Sequence, residues 1–268
     1  MKTFFVIASL TLFLAACGQS DEPAVVAAPE VAEVAAPEVS ETPMQSSAAA
    51  GELLVDYIWN NTAEDMTDAQ MADIIDGWNA RIDAGGYNML GANVLVPQFE
   101  TDDYDLIWVV MWPSSEAREA GWADWNANQV DDWSAELAGA MSYEPENVYT
   151  FKPTDGHDGM EDIAVGGTFH PRFDFCSFNE GQDAASLTAF RAEYDASLLE
   201  GESNNYGYYL MEPQFDLADA DFVWLDLFGD EAALEAGMAS WSGSALEASW
   251  EAMATCQNFA FLATAIRR

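Results

Sequence analysis

Residues 96–125 read VPQFETDDYDLIWVVMWPSSEAREAGWADW, and residues 212–241 read EPQFDLADADFVWLDLFGDEAALEAGMASW. Pro97-Gln98-Phe99 returns as Pro213-Gln214-Phe215, Trp108 as Trp224, Glu119-Ala120-Gly121 as Glu235-Ala236-Gly237, and Trp125 as Trp241. Every pair is 116 positions apart, with no gap between them. Upstream, Met71, Trp78 and Ile82 fall on Leu187, Tyr194 and Leu198 at the same offset. Matches at one fixed offset mark a tandem duplication, which decides the fold before any single element is assigned.

Each copy reads in the same order. A strand (Leu53 to Trp59; Thr168 to Ser177) precedes a helix with apolar residues at helical spacing: Met71, Ile74, Ile75, Trp78 and Ile82 in one copy, Leu187, Phe190, Tyr194 and Leu198 in the other. Two strands follow, Met89 to Phe99 with Tyr104 to Trp112, and Tyr206 to Phe215 with Asp221 to Phe228. A long helical region (Ser114 to Met141; Asp230 to Thr255) is split by Gly and polar residues, and a last strand closes each copy (Asn147 to Lys152; Asn258 to Thr264). The fold class is therefore α+β, with two tandem βαββαβ repeats. This order resembles the ferredoxin-like fold, and two copies in one chain resemble the dimeric α+β-barrel superfamily, in which two such units join their sheets into a pseudo-dimeric barrel.

The chain begins MKTFFVIASLTLFLAACGQS. Lys2 precedes an apolar run from Phe4 to Leu14, too short to span a bilayer, and small residues lead into Cys17. Leu14-Ala15-Ala16-Cys17 resembles the lipobox of bacterial lipoproteins. The resemblance implies a signal peptide at 1–16, cleavage before Cys17, and acylation of its thiol and amino group, palmitate being one such acyl chain. Several acyl chains hold a protein stably on a membrane. Gly18 implies the outer membrane, on the periplasmic side of a Gram-negative cell. Residues 17–50 combine the lipidated cysteine with an Ala/Pro/Glu-rich stretch, EPAVVAAPEVAEVAAPEVSETP, that buries too little to fold and reads as a disordered tether. The remaining organisation is a first repeat at 51–153, a linker at 154–166 and a second repeat at 167–268.

Charge sets limits on partners. The chain carries 47 acidic and 8 basic residues, a formal net charge of −39. Nucleic acids require Lys/Arg clusters, so a nucleic-acid partner is excluded. The acidity fits a solvated surface, attraction of cations, or simple solubility. With Cys17 lipidated, Cys176 and Cys256 remain, an even number in an oxidising compartment. In the fold implied above they fall at adjacent ends of neighbouring strands, so they either form a disulfide or lie as two separate buried thiols.

Motifs for catalysis are missing. There is no phosphate-binding Gly loop, CxxC, HExxH or GxSxG, and the two histidines, His157 and His170, are too few for a classical zinc site or a Ser-His-Asp triad. No cofactor and no metal are predicted. Thr154 to Asp162 is rich in Asp and Glu but lacks EF-hand spacing; it reads either as a calcium loop or as an exposed linker.

Strand faces supply the candidate site. Alternation places Trp224, Asp226 and Phe228 on one face, expected to point into the barrel, and Val223, Leu225 and Leu227 on the other, expected to pack on helices. Asp226 stands where copy one has Val110, and Glu212 where it has Val96. His170, Arg172 and Asp174 share a face, with Asp56 read as the counterpart of Asp174. Trp108, Trp224, Asp226, Arg172, Asp174, Tyr208, Glu212 and His170 then line an aromatic, polar pocket for a small-molecule ligand in the barrel; the competing reading has tryptophans filling the barrel and charges at its rim. Missing catalytic motifs favour a small-molecule or protein binding module over an enzyme. The superfamily resemblance implies the alternative, a cofactor-independent monooxygenase-like enzyme, with Trp108, Trp224, Asn60 and Asn61 as candidates, or a haem enzyme with an axial ligand such as His170.

Overall fold

A computed structural model describes residues 53–137, 139–199 and 205–268. The signal peptide and tether expected from sequence, with Cys17, lie outside the described residues. The first repeat comprises β1 (Leu54–Thr62), α1 (Asp68–Gly85), β2 (Gly91–Pro97), β3 (Leu106–Trp112), α2 (Ser115–Asn128), α3 (Val130–Leu137), a two-residue β4 (Met141–Ser142) and β5 (Val148–His157). The second comprises β6 (Thr168–Phe178), α4 (Ala184–Leu199), β7 (Tyr206–Pro213), β8 (Phe222–Phe228), α5 (Glu231–Trp241), α6 (Ala245–Met253) and β9 (Ala254–Arg267). Among the described residues, no helix is long and apolar enough to cross a membrane.

Local chemistry sets the helix ends. Thr67 and Gln70 form a capping box at the start of α1, which stops at Gly86 in the left-handed region (φ 65°). Ser114 and Asp230 occupy the same place in the repeat and cap α2 and α5 through Ala117 and Ala233 N–H. The Gly of each repeated Glu-Ala-Gly is explained by close approach. A Cβ on Gly121 would sit 2.5 Å from the Trp112 ring, and one on Gly237 2.6 Å from the Phe228 ring.

The strands pair in the order β3-β2-β9-β6-β8-β7-β5-β1, and β1 pairs with β3, so eight antiparallel strands close on themselves. Each repeat contributes four neighbours. The copies meet where β2 pairs with β9 and where β5 pairs with β7. β5 continues to His157, past the residue at which the sequence reading ended the first repeat, because Thr154 to His157 pair with Leu210 to Tyr208 of the other copy. That partner is remote in sequence, so local composition gave no sign of it.

Inside the closed sheet the side chains pack. Tyr57, Phe151, Phe173 and Phe261, from both repeats, meet edge to face at centroid distances of 5.7, 5.4 and 5.9 Å. Leu95, Ile107, Val109, Val223 and Leu225 belong to the same cluster. An eight-stranded interior is wide enough for side chains to fill. This reverses the assignment of faces on β8. Val223 and Leu225 point into the barrel, while Trp224 and Phe228 belong to the cluster beneath the helices of the second repeat. Both faces of β8 carry large apolar side chains, so alternation separates them without saying which one the helices cover.

Cys176 and Cys256 form a disulfide, with Cα atoms 4.1 Å apart across the β6–β9 ladder. It joins the end of β6 to the start of β9, at the edge of the helix–sheet space of the second repeat.

Candidate functional site

The gap between sheet and helices exists twice, and the two differ. In the first repeat it is closed by indoles: Trp78, Trp108, Trp112, Trp122, Trp125 and Trp133 surround a residual space of about 60 Å³. One carboxylate lies within this layer. Asp56 on β1 is fully buried and accepts from Trp112 Nε1 (2.9 Å), Trp122 Nε1 (2.7 Å), Thr150 Oγ1 (2.6 Å) and Arg118 Nε (2.7 Å). Every acceptor direction is used and the charge is paired, the condition under which a buried carboxylate is tolerated.

In the second repeat the same gap is a cavity of about 740 Å³ between β6, β8 and helices α4, α5 and α6. That falls within the range of small-molecule sites. At its floor, Asp226 Oδ1 accepts from Tyr206 Oη (2.5 Å) and Trp224 Nε1 (2.7 Å), and Tyr194 Oη donates to Tyr206 Oη (2.8 Å). Burial pushes the Asp226 carboxyl up to about 6, against the two donated hydrogen bonds. Asp174 is raised for the same reason, although Asn258 Nδ2 donates to it at 2.6 Å. Arg172 directs Nη1 at Met238 Sδ (2.9 Å), and its buried Nε has no partner among the described residues. Tyr206 is raised well above its ordinary value, by burial first and by Asp226 second, so it remains a hydrogen-bond donor. The Tyr194–Tyr206–Asp226 chain can therefore hold a proton at Asp226 and relay hydroxyl hydrogen bonds from helix to sheet.

The geometry sorts the residues named from sequence. Arg172, Asp174, Trp224 and Asp226 line this cavity together. Tyr208 lies behind it, stacked on Trp224 at 4.1 Å and donating to Asp195 Oδ1 at 2.5 Å. Trp108 is part of the packed indole layer of the first repeat. Glu212 is exposed on β7 opposite Lys152, near the strand end. His170 shares the β6 face but lies across from Phe228, outside the lining. The pairing of Asp56 with Asp174 is corrected by register. Asp56 faces Val110 on β3, and Arg172 faces Asp226 on β8, so Arg172 is the counterpart of Asp56 and Ile58 that of Asp174. Tyr194, Tyr206, Trp241 and Trp250 also line the cavity and are not among the site residues named from sequence, where Tyr194 and Trp241 figure only as matches of the repeat. The signal for the cavity was present in the repeat: Trp78, Trp112 and Trp122 become Tyr194, Phe228 and Met238, each a loss of ring volume. In the stretch from Thr154 to Asp162, Asp155 pairs with Arg191, and no cluster of three His, Cys, Asp or Glu among the described residues could hold a metal ion.

No protein-family profile and no curated protein matches the sequence. Solved structures do match in shape. A single-substitution mutant of chlorite dismutase from Candidatus Nitrospira defluvii aligns over 81% of this chain and 92% of its own, at 7% identity and a TM-score of 0.50. A Fusobacterium nucleatum protein, provisionally assigned as a monooxygenase, aligns over 81% and 93% at 8% identity and a TM-score of 0.50. The protein TA0507, provisionally assigned as a chlorite dismutase, aligns over 80% and 94% at 11% identity and a TM-score of 0.50. The fold is that of the dimeric α+β barrels. At these identities the likeness carries the fold alone.

Among dimeric α+β barrels the haem enzymes raise the question whether this cavity suits a haem. Among the described residues its lining contains no histidine and no free thiol, since Cys256 is bonded to Cys176. Four carboxylates (Asp174, Asp226, Glu247, Glu251) and a single guanidinium (Arg172) would face the two propionates. The donor set does not fit the group.

Proposed function

We propose that this protein is a lipid-anchored binding module of the periplasmic face of the outer membrane, and that its second repeat takes a small organic molecule between sheet and helices. The observation that carries the binding role is the contrast within the chain: about 740 Å³ in the second repeat where the first leaves about 60 Å³. Aromatic walls with a few convergent polar groups are the usual composition of small-molecule sites. The anchor rests on Leu14-Ala15-Ala16-Cys17. Cys17→Ala should abolish incorporation of labelled palmitate and release the protein from the membrane fraction; unchanged membrane retention would contradict the anchor.

The binding role is tested by filling the cavity. Met238 replaces Trp122 in the repeat, and Met238→Trp restores an indole there. The variant should unfold within about 1 kcal/mol of the native protein and lose the ligands that a small-molecule fluorescence screen finds for it. Equal ligand binding by the variant would place the site elsewhere.

A second reading is favoured by Asp226. A carboxyl raised to about 6 in an aromatic cavity, beside Tyr206, could take a proton from a substrate that reacts with oxygen itself, as a cofactor-independent monooxygenase requires. Oxygen uptake with hydroxylated aromatic substrates, abolished by Asp226→Asn, would support it.

A further inference from the structure

We infer that the cavity of the second repeat selects an organic cation, an inference that rests on the binding role proposed above. Four carboxylates, Asp174, Asp226, Glu247 and Glu251, line the space with one cation, Arg172. The ion pairs of the described residues are Arg81–Glu136, Arg118–Asp56, Arg191–Asp155 and Arg267–Asp83, and none involves a lining carboxylate. Charge in the first repeat is neutralised from within by Arg118. At the corresponding place in the second repeat stands Leu234, which leaves Arg172, across from Asp226 on the neighbouring strand, as the one cation beside four carboxylates.

The walls suit a diffuse positive charge. Trp241 and Trp250, both half-buried, meet at 79° with centroids 6.4 Å apart, and Tyr194 meets Trp241 at 79° and 6.1 Å. Rings set nearly perpendicular to one another form the corner of a box, the arrangement in which π faces surround an ammonium group. A compact metal ion is a different case. It needs carboxylates converging on one point, and no group of three potential ligands converges among the described residues. An ammonium head a few ångströms across needs no such convergence. The whole-chain charge of −39 raises the local concentration of cations and lowers that of anions.

The test is titration of the full-length protein in detergent with three probes of similar size: phenyltrimethylammonium, its carbon isostere tert-butylbenzene, and phenylacetate. Tryptophan fluorescence and calorimetry report binding. The cation should bind at least about tenfold more tightly than the isostere, with the preference weakening at high salt. In Asp226→Asn that preference should fall by about threefold or more, while the fold is kept, because Asn Oδ1 still accepts from Tyr206 and Trp224. Equal or tighter binding of tert-butylbenzene or phenylacetate overturns the ligand class and leaves the cavity as a binding site. Saturable binding of none of the three overturns the inference, while the screen against Met238→Trp decides the binding role separately.

Discussion

In the first repeat six tryptophans and a paired Asp56–Arg118 fill the space under the helices; in the second, three tryptophans and four carboxylates with one arginine leave it open. The two share an offset, a strand order and the glycine that lets α2 and α5 approach the sheet. What differs is a handful of side chains. Trp78, Trp112 and Trp122 become Tyr194, Phe228 and Met238, while Asp56 becomes Arg172, Arg118 becomes Leu234 and Val110 becomes Asp226. One ferredoxin-like unit can therefore be read as the filled control for the other. Ring volume closes the gap; its loss, with a carboxylate left in the wall, makes a cavity.

The first way to break this comparison is to remove the charge from each copy. Asp56→Ala strands Arg118 and the two indole N–H donors in a packed layer. Denaturant unfolding should show a loss of about 3–5 kcal/mol, the cost of uncoupling a buried ion pair. A loss below about 1 kcal/mol would mean that the first repeat is not held by this network.

The disulfide sharpens the contrast next. Asn60 stands in the first repeat where Cys176 stands in the second, so only the open copy is stapled. Cys256→Ala should cost about 2–4 kcal/mol. Hydrogen exchange should then rise in α4, α6 and β9 while β1 to β3 stay protected. Uniform loss of protection would show that the two repeats unfold as one unit.

The smallest effect has the opposite sign. Asp226 ordinarily titrates near 3.8 and is held near 6 in the folded protein. Between those values the native state binds more protons than the unfolded one, so stability from this group falls as pH rises through 6 and is recovered toward pH 4. Asp226→Asn should remove that slope and stabilise the protein by about 1–2 kcal/mol at neutral pH, as thermal unfolding across pH 4 to 8 would show. A destabilised variant at neutral pH would mean that the charge is paired after all.

The sequence carried the duplication and the element order, because these are periodic or countable features, and left the Cys176–Cys256 disulfide as one of two readings, which the structure decides. It did not carry the direction of the barrel faces. Val223 and Trp224 are both apolar, and only closure of β1 on β3 decides which of them points inward. Matching Asp56 to Asp174, acid to acid, hid that the offset of the repeat sets Asp56 against Arg172. Glu212 was drawn in by substitution at one position, yet its strand end is exposed. Tyr206 is absent from the sequence reading and Tyr194 enters it only as a helix-face residue, because their roles arise from hydroxyls meeting across helix and sheet, which no local pattern records.

A crystal of the native protein soaked in phenyltrimethylammonium tests the central claim most directly. Density should appear between β8 and α4 to α6, near Asp226 and the Trp241–Trp250 corner, with none beneath α2 of the first repeat. Helices α5 and α6 collapsed onto the sheet, or density in the first repeat instead, would contradict the account.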